Sequence, residues 1–165
     1  TGLIHNNRVG AMDADIVYYL RAQGLSDEEI QAGLTKNGGL KGISGVSSDL
    51  RYVLEAAEAG NERAKLAVDV YVTGIVRYIA AFAAELGGLD CLAFTGGIGE
   101  NSDVIRKMVC ERLAHMGIDL SKRRNTKGKG DRRITKKRSR VRVYVIAANE
   151  ELGVARKTYA CEKNA

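Results

Sequence analysis

The sequence predicts an α/β fold, in which helices alternate with short apolar strands. From Glu62 to Leu86 the apolar residues recur at spacings of three and four, which is the period of a helix. Two short apolar runs, residues 91–95 (CLAFT) and 141–148 (VRVYVIAA), lie between turn signals and are typical of buried strands. Because helical segments separate and follow these runs, we expect helices and strands to pack as layers.

The first 36 residues predict two short helices. Asp13 is placed to cap a helix over residues 14–22. Ser26 and Glu29 have the spacing of a capping box, in which each side chain bonds to the backbone amide of the other residue. This box opens the second helix, which we expect to reach about residue 36.

A glycine-rich stretch and a further helix come next. Residues 37–45 (NGGLKGISG) predict turns, because glycine adopts backbone conformations that other residues avoid. Ser47 or Ser48 is then placed to cap a helix that ends at Ala59, before the long helix begins.

The second half contains the two apolar strands and the segments between them. The first strand leads into a glycine-rich loop, residues 96–101 (GGIGEN). The other predicted elements are a helix from Val104 to Met116, an irregular segment over 117–140 with a short strand near Ile134, and a last helix over 149–161.

The positive charge of the chain is confined to one segment. The net charge is +6, yet twelve basic residues and a single acid lie between Lys122 and Arg142. The remaining sequence holds 14 basic and 19 acidic residues and is therefore acidic. A polyanion or nucleic acid is a possible partner of this basic segment, but a solvated loop is the favoured interpretation because no RNA-binding or zinc pattern accompanies it.

Composition excludes several classes of protein. A hydrophobic content of 45% excludes a wholly disordered chain. The longest uninterrupted apolar run is far shorter than the roughly 20 residues of a membrane span, so no membrane partner is expected. Three cysteines without CxxC spacing and two histidines predict reduced thiols used as small hydrophobic residues, and hence a cytoplasmic location. The start lacks both a signal peptide and an initiator methionine, so a fragment is expected.

The junction between the first strand and residues 96–101 is the sharpest functional signal. In open α/β sheets, ligands bind beyond the carboxyl ends of the strands, and glycines there let a backbone approach a phosphate closely. The glycines fit neither the Walker A loop nor GxGxxG. Nucleotide binding and a simple strand-to-helix turn both remain open on this motif alone.

Two other junctions carry charged residues that have more than one interpretation. Ser44 to Arg51 (SGVSSDLR) suits ribose or phosphate binding, but it also suits a helix cap with an acid in the first turn. Residues 149–151 (NEE) follow the second strand. Their carboxylates suit Mg²⁺ coordination as well as the ordinary preference for acids in a first helical turn.

Taken together, these motifs resemble the acetokinase family. The resemblance rests on GISGVSSDLRYVLEAAEAGNERAKLAVDVY, FTGGIGENSDVIRKMVCERLAHMGIDL and VIAANEELGVARKT, in the family's order and spacing over nearly the whole chain. It implies an actin-like, sugar-kinase-like (ribonuclease H-like) fold. It also implies transfer of a phosphoryl group between ATP and acetate, with ADP, Mg²⁺ and a homodimeric full-length enzyme. Residues 1–165 are expected to form the C-terminal nucleotide-binding domain, without the N-terminal domain.

The resemblance assigns roles residue by residue. It places Arg8 as the arginine that stabilises the transition state and Glu150 as the glutamate associated with Mg²⁺. It places the nucleotide contacts at Asp49, Leu50, Arg51, Gly97, Ile98, Gly99, Glu100 and Asn101. A guanidinium suits the first role because it offers permanently charged donors to the equatorial oxygens of the transferring phosphoryl group.

This sequence departs from the family pattern at several points. Ala11 replaces an acid near Arg8, and Ala147 and Ala148 replace a proline and a threonine before the NEEL motif. Neither His5 nor His115 matches the family's catalytic histidine, so the chain alone is expected to be inactive. The acid, whether acetate, propionate or butyrate, is not readable from this sequence, and an inactive fragment that binds polyanions is the remaining alternative.

Overall fold

A computed structural model describes residues 2–163 of the chain. These residues form two compact units, one ending at Gly87 and the other beginning at Gly88. Each unit has its own buried apolar residues.

The first unit is helical in the part of the chain that the structure describes. Its helices are α1 (Ile16–Ala22), α2 (Asp27–Thr35), α3 (Gly39–Ser44), α4 (Leu50–Glu58) and α5 (Glu62–Glu85). The long helix α5 packs against α3 and α4. The fully buried side chains between them are Leu40, Val53, Ala64, Ala67 and Val72.

Local hydrogen bonds explain where α1 and α2 begin. The predicted capping box is confirmed: Ser26 Oγ accepts from the Glu29 amide at 3.2 Å, and Glu29 Oε2 accepts from the Ser26 amide at 2.8 Å. The predicted start of α1 is two residues early. Asp13 Oδ1 accepts from the Asp15 amide and closes a turn before the helix, which begins at Ile16.

The cap of α4 also differs from the prediction. Asp49, not Ser47 or Ser48, is the N-cap, and its Oδ1 accepts from the Arg51 amide at 2.9 Å. Ser47 Oγ instead accepts from the Asp49 amide at 3.0 Å. The serine therefore positions the capping carboxylate without capping the helix itself.

The glycine-rich stretch contains α3, where the sequence predicted only turns. The amides of Gly38, Leu40 and Lys41 donate to backbone carbonyls of residues 5–7, which satisfies the N-terminal end of this short helix. Gly39 has a φ of +59°, and a Cβ there would lie 2.0 Å from the His5 carbonyl oxygen. Contacts with a distant loop therefore create a helix that the local sequence does not favour.

Helix α5 is long and apolar enough, by length and composition alone, to cross a membrane. Core helices of soluble proteins pass the same test. Asp69 and Arg77 interrupt the apolar sequence, which is why no long uninterrupted run was visible. The prediction used the length of the longest uninterrupted apolar run, which is short. The mean hydropathy over 18 residues of this helix is nevertheless 1.6, because it averages over the interrupting charges.

The second unit contains a three-stranded mixed sheet in the order β1–β3–β2. Its elements are β1 (Cys91–Phe94), α6 (Gly96–Asn101), α7 (Asp103–Arg112), a 3₁₀ helix (Ala114–Met116), α8 (Lys122–Thr126), β2 (Arg132–Arg133), β3 (Arg142–Val145) and α9 (Glu150–Lys163). Strands β1 and β3 are parallel, with Phe94 opposite Val145, and β2 is antiparallel to β3. The two predicted strands are therefore present, although β3 is shorter than predicted.

The second unit departs from the sequence prediction in two further places. The GGIGEN segment is the short helix α6, where a loop was expected. The segment predicted to be irregular contains α8, which was not expected, and Leu120 forms a bridge with Thr135. Strand β2 agrees with the short strand predicted near Ile134. Ile134, the predicted strand position, is fully buried directly after β2.

The cysteines only partly follow the expectation that they act as buried hydrophobic residues. All three are free thiols, and Cys110 is buried in α7. Burial raises the pKa of the Cys110 thiol to about 12. Cys91 and Cys161 are exposed, so the expectation is wrong for these two residues.

Candidate functional site

Helix α6 and the segment after β3 meet at the carboxyl ends of the two parallel strands. Glu100 Oε1 accepts from the Gly96 amide at 2.8 Å and from the Ala148 amide at 3.0 Å. One carboxylate therefore ties the predicted nucleotide loop to the chain that leads into Glu150. This end of a parallel sheet is where α/β proteins bind their ligands.

The structure gives a different explanation for glycine at each of the three glycine positions of α6. Gly96 has a φ of +72°, which disfavours other residues. Gly99 lies against β1, because a Cβ there would be 3.3 Å from the Phe94 carbonyl carbon. Gly97 has no such reason, since a Cβ at this position would meet no atom within 4 Å and its φ is not positive. Close approach of a ligand is a function that would require glycine at position 97.

A buried arginine of α7, which the sequence did not mark as a site residue, forms hydrogen bonds with the end of α6. Arg106 of α7 is 2% exposed, and its Nη1 donates to the carbonyls of Gly99 at 2.9 Å and Glu100 at 2.8 Å. Its Nε and Nη2 donate to the side chain and backbone oxygens of Asn125. Arg106 thus satisfies carbonyls at the end of α6 and fixes this helix to α8.

The charge of Arg106 lies in a low-dielectric setting. Burial and the nearby positive charge of Arg132 lower the pKa of Arg106, with burial as the larger cause. The sequence did contain a signal for this residue. Arg106 is spaced by three and seven residues from Val109 and Leu113, so it occupies an apolar-face position of a helical pattern.

Glu150 begins α9 and is exposed. Asn149 precedes it with a φ of +46°, so the chain turns sharply between β3 and this helix. Among the described residues, no group of three His, Cys, Asp or Glu side chains is arranged to bind a metal. A single carboxylate nevertheless suits Mg²⁺, which commonly takes one or two protein carboxylates together with substrate phosphates and water.

The Asp49–Arg51 pair lies in the first unit at the start of α4. Arg51 Nη2 contacts Asp49 Oδ2 at 2.5 Å, while 82% of the Arg51 side chain is exposed. Hydrogen bonds from the Arg51 side chain and amide lower the pKa of Asp49 to about 2. The carboxylate is therefore occupied in capping and pairing, and the guanidinium remains accessible to a ligand.

Two further predicted residues differ sharply in accessibility. Leu50 is 6% exposed, so only its backbone could contact a ligand. Arg8 is exposed, and its guanidinium has no hydrogen-bond or ion-pair partner among residues 2–163. The backbone around Arg8 is fixed, because His5 donates to its carbonyl at 3.0 Å and neighbouring carbonyls accept from the start of α3.

Several cationic side chains of the basic segment form hydrogen bonds or ion pairs with neighbouring parts of the same unit. The side chains of Arg124, Arg133 and Arg140 donate to backbone carbonyls. Lys136 and Arg138 both pair with Asp119, which lowers the pKa of that carboxyl. These contacts hold together a segment that has little regular strand pairing. They also leave fewer cationic side chains available to bind a polyanion than the sequence suggests.

Comparisons with known proteins show which proteins this chain is similar to. Residues 1–156 match the Acetokinase family model. The acetate kinase of Syntrophomonas wolfei subsp. wolfei is 42% identical over 163 residues, covering 98% of this chain and 41% of that protein. The crystal structure of Porphyromonas gingivalis acetate kinase gives a TM-score of 0.86 at 40% identity, covering 96% of this chain and 40% of that chain.

A propionate kinase from Francisella tularensis subsp. tularensis SCHU S4 is also similar, with a TM-score of 0.82 at 37% identity. The match covers 92% of this chain and 38% of that chain. These similarities confirm the predicted actin-like, sugar-kinase-like fold class. The chain spans about two fifths of the length of the relatives that it matches.

Proposed function

We propose, because this chain belongs to the acetokinase family, that it is the C-terminal nucleotide-binding part of a phosphotransferase that interconverts ATP and acetate with ADP and acetyl phosphate. The observation that carries the proposal is Gly97. It lies beside the carboxyl ends of β1 and β3, and the packing of the chain gives no reason for a glycine there. A nucleotide that approaches the α6 backbone supplies this reason.

In this proposal the GIGEN segment contacts the adenosine and its adjacent phosphate, mainly through backbone atoms. The segment consists of Gly97, Ile98, Gly99, Glu100 and Asn101. Glu100 and Asn101 support that role indirectly. The Glu100 carboxylate accepts two backbone amides, and Asn101 Nδ2 donates to the Gly97 carbonyl at 2.8 Å. Both side chains therefore shape the surface that the nucleotide meets.

The residues of the first unit supply charge to the reaction. Arg51 offers an exposed guanidinium to the nucleotide, Asp49 orients it, and Leu50 contributes backbone. Arg8 stabilises the charge that develops on the transferring phosphoryl group. Its guanidinium has no ion pair with any described residue, so it can bind that group without first breaking one.

Glu150 is the residue that we assign to Mg²⁺, directly or through water. When bound, the ion neutralises phosphate charge during transfer. The exposed carboxylate at the start of α9 follows the same strand end that Glu100 ties to α6.

Acetate is the proposed acceptor, and propionate is the second candidate because the chain is also similar to a propionate kinase. The whole protein is proposed to be a cytoplasmic homodimer. Its proposed partners are small-molecule substrates, and it is proposed to bind neither a membrane nor nucleic acid. The reduced thiols are consistent with that compartment. We expect the 165-residue chain alone to bind nucleotide without completing phosphoryl transfer, since no histidine in it matches the family's catalytic one.

Thermal denaturation with and without ADP tests the proposal. Ligand at 100 times its Kd adds about 2.7 kcal/mol to the stability of the folded state, which corresponds to a Tm rise of roughly 5–10 °C for a chain of this size. Adenosine should also raise the Tm, whereas acetate alone should not. No rise at millimolar ADP with Mg²⁺, or acetyl phosphate formation by the purified chain alone, would contradict the proposal.

A further inference from the structure

A cavity of about 320 Å³ lies between α6, the end of β3 and the basic loop, which we define as residues 128–132. Glu100 and Asn101 line one side, Val145 and Ala147 another, and Lys129 and Arg132 the third. Ligand pockets commonly measure roughly 300–1,000 Å³, so this cavity has room for part of a nucleotide.

The basic loop is fixed over the strand end at two points. Asp131 Oδ1 accepts from the Ala147 amide at 2.8 Å, which joins the loop to the chain after β3. Arg132 belongs to β2 and pairs with Val145 in the sheet. The side-chain hydrogen bond of Asp131 and the strand pairing of Arg132 therefore position the cations of the loop beside the GIGEN segment.

The two cations at the cavity form no ion pair with the residues that the structure describes. Lys129 has no ion pair or hydrogen bond with any residue that the structure describes. Arg132 Nη1 donates to the nearby Gly130 carbonyl, and its buried Nε has no acceptor among the residues that the structure describes. Both nearby acids, Glu100 and Asp131, accept backbone amides, and neither forms an ion pair with Lys129 or Arg132 in the part of the chain that the structure describes.

The buried Arg106 is a further cation near Arg132. The charge of Arg132 is close enough to lower the pKa of Arg106, after the larger effect of burial. Lys136 and Arg138, in the same basic segment, instead pair with Asp119. Lys129 and Arg132, which form no ion pair with the residues that the structure describes, thus line the cavity at the strand ends.

We propose that this cavity binds a phosphate group, with Lys129 and Arg132 as its cationic donors. The inference rests on the proposed nucleotide function for its first source, a phosphate of the bound nucleotide. A separate inorganic phosphate ion is the second source of the same chemistry. An oxyanion would neutralise both cations, and charge-assisted hydrogen bonds are among the stronger contacts of a binding site.

The test measures binding to the full 165-residue chain by calorimetry, with ADP, adenosine and inorganic phosphate as separate probes. Lys129→Gln is the principal variant, because this side chain forms no hydrogen bond or ion pair with a described residue that the substitution would remove. Arg132→Gln is the second. Lys137→Gln is the matched control, since Lys137 belongs to the same basic segment, is exposed and does not line the cavity.

For a nucleotide phosphate, K129Q and R132Q weaken ADP binding roughly fivefold to tenfold and leave adenosine binding unchanged. For a separate ion, both variants weaken phosphate binding and leave ADP binding unchanged. K137Q changes none of these affinities in either case.

Unchanged affinity of K129Q for both ADP and phosphate overturns the inference, as does an equal loss in K137Q. A wild-type chain that binds neither probe also overturns it. Phosphate binding that depends on Lys129, without any ADP binding, refutes the nucleotide function and retains the site. ADP binding that is independent of Lys129 and Arg132, with no phosphate binding, retains the function and refutes the site.

Discussion

Replacing Gly97 with alanine separates a ligand contact from a folding requirement. Gly97 is the second residue of α6, and an added methyl group would meet no atom within 4 Å. Alanine exceeds glycine in helix stability by about 1 kcal/mol in long helices, and we expect about half of this in a helix of six residues. The predicted effect is a Tm increase of about 1–2 °C.

The same methyl group should oppose nucleotide binding. If the nucleotide contacts the α6 backbone at Gly97, the methyl group forces the ligand outward at a cost of about 1–3 kcal/mol, as in other overpacked contacts. Gly97→Ala should therefore weaken ADP binding by roughly 5- to 150-fold, measured by calorimetry. The signature is a more stable protein that binds its ligand less tightly.

Gly99→Ala is the matched control on the same helix. Its methyl group would lie 3.3 Å from the Phe94 carbonyl carbon, so α6 would be pushed away from β1. We expect a loss of about 1 kcal/mol and a lower Tm. The reasoning is refuted if Gly97→Ala binds ADP as tightly as the wild type, or if it lowers the Tm as Gly99→Ala does.

Three other predictions concern Arg106, Asp49 and Cys110. Arg106→Met should lower the free energy of unfolding, measured with urea, by roughly 2–4 kcal/mol, because it leaves the α6 carbonyls without a donor. Lys107→Met, at an exposed position of the same helix, should lower the free energy of unfolding by less than about 0.5 kcal/mol. Equal effects would contradict the buried role. The contribution of Asp49 to stability, measured against Asp49→Asn, should be present above about pH 4 and disappear as the pH falls towards 2, since Arg51 lowers its pKa from 3.8 to about 2. A pH-independent difference would count against this pairing. Two thiols should react with a disulfide reagent at pH 8 in the native chain and the third, Cys110, only after unfolding; three fast reactions would disprove its burial.

The sequence predicted well the elements whose signals are local. The capping box opened α2 where expected, and the apolar period located α5 to within one residue of each end. Both signals involve residues within one or two helical turns of each other. The helices α3 and α6 were missed because both are rich in glycine. The loop of residues 5–7, distant in sequence, stabilises α3. Arg106 stabilises α6 and is itself held by Asn125, 19 residues further along the chain.

The candidate site shows the same division. The glycine motif and the acids after β3 were recognised from their positions after apolar strands, which is a local pattern. The tie between Glu100 and Ala148 spans 48 residues, and no local signal predicts it. The loop that carries Lys129 is placed by the Asp131–Ala147 hydrogen bond, so its relation to the GIGEN segment also required the structure.

The central claim is that a nucleotide binds against α6 at the carboxyl ends of β1 and β3. Nuclear magnetic resonance of the ¹⁵N-labelled chain, titrated with ADP and Mg²⁺, tests it directly because the backbone amides report on their own surroundings. We predict that the largest shift changes in the second unit occur at residues 96–101, with smaller changes at the basic loop. A spectrum without changes at residues 96–101 at saturating ADP would contradict the claim.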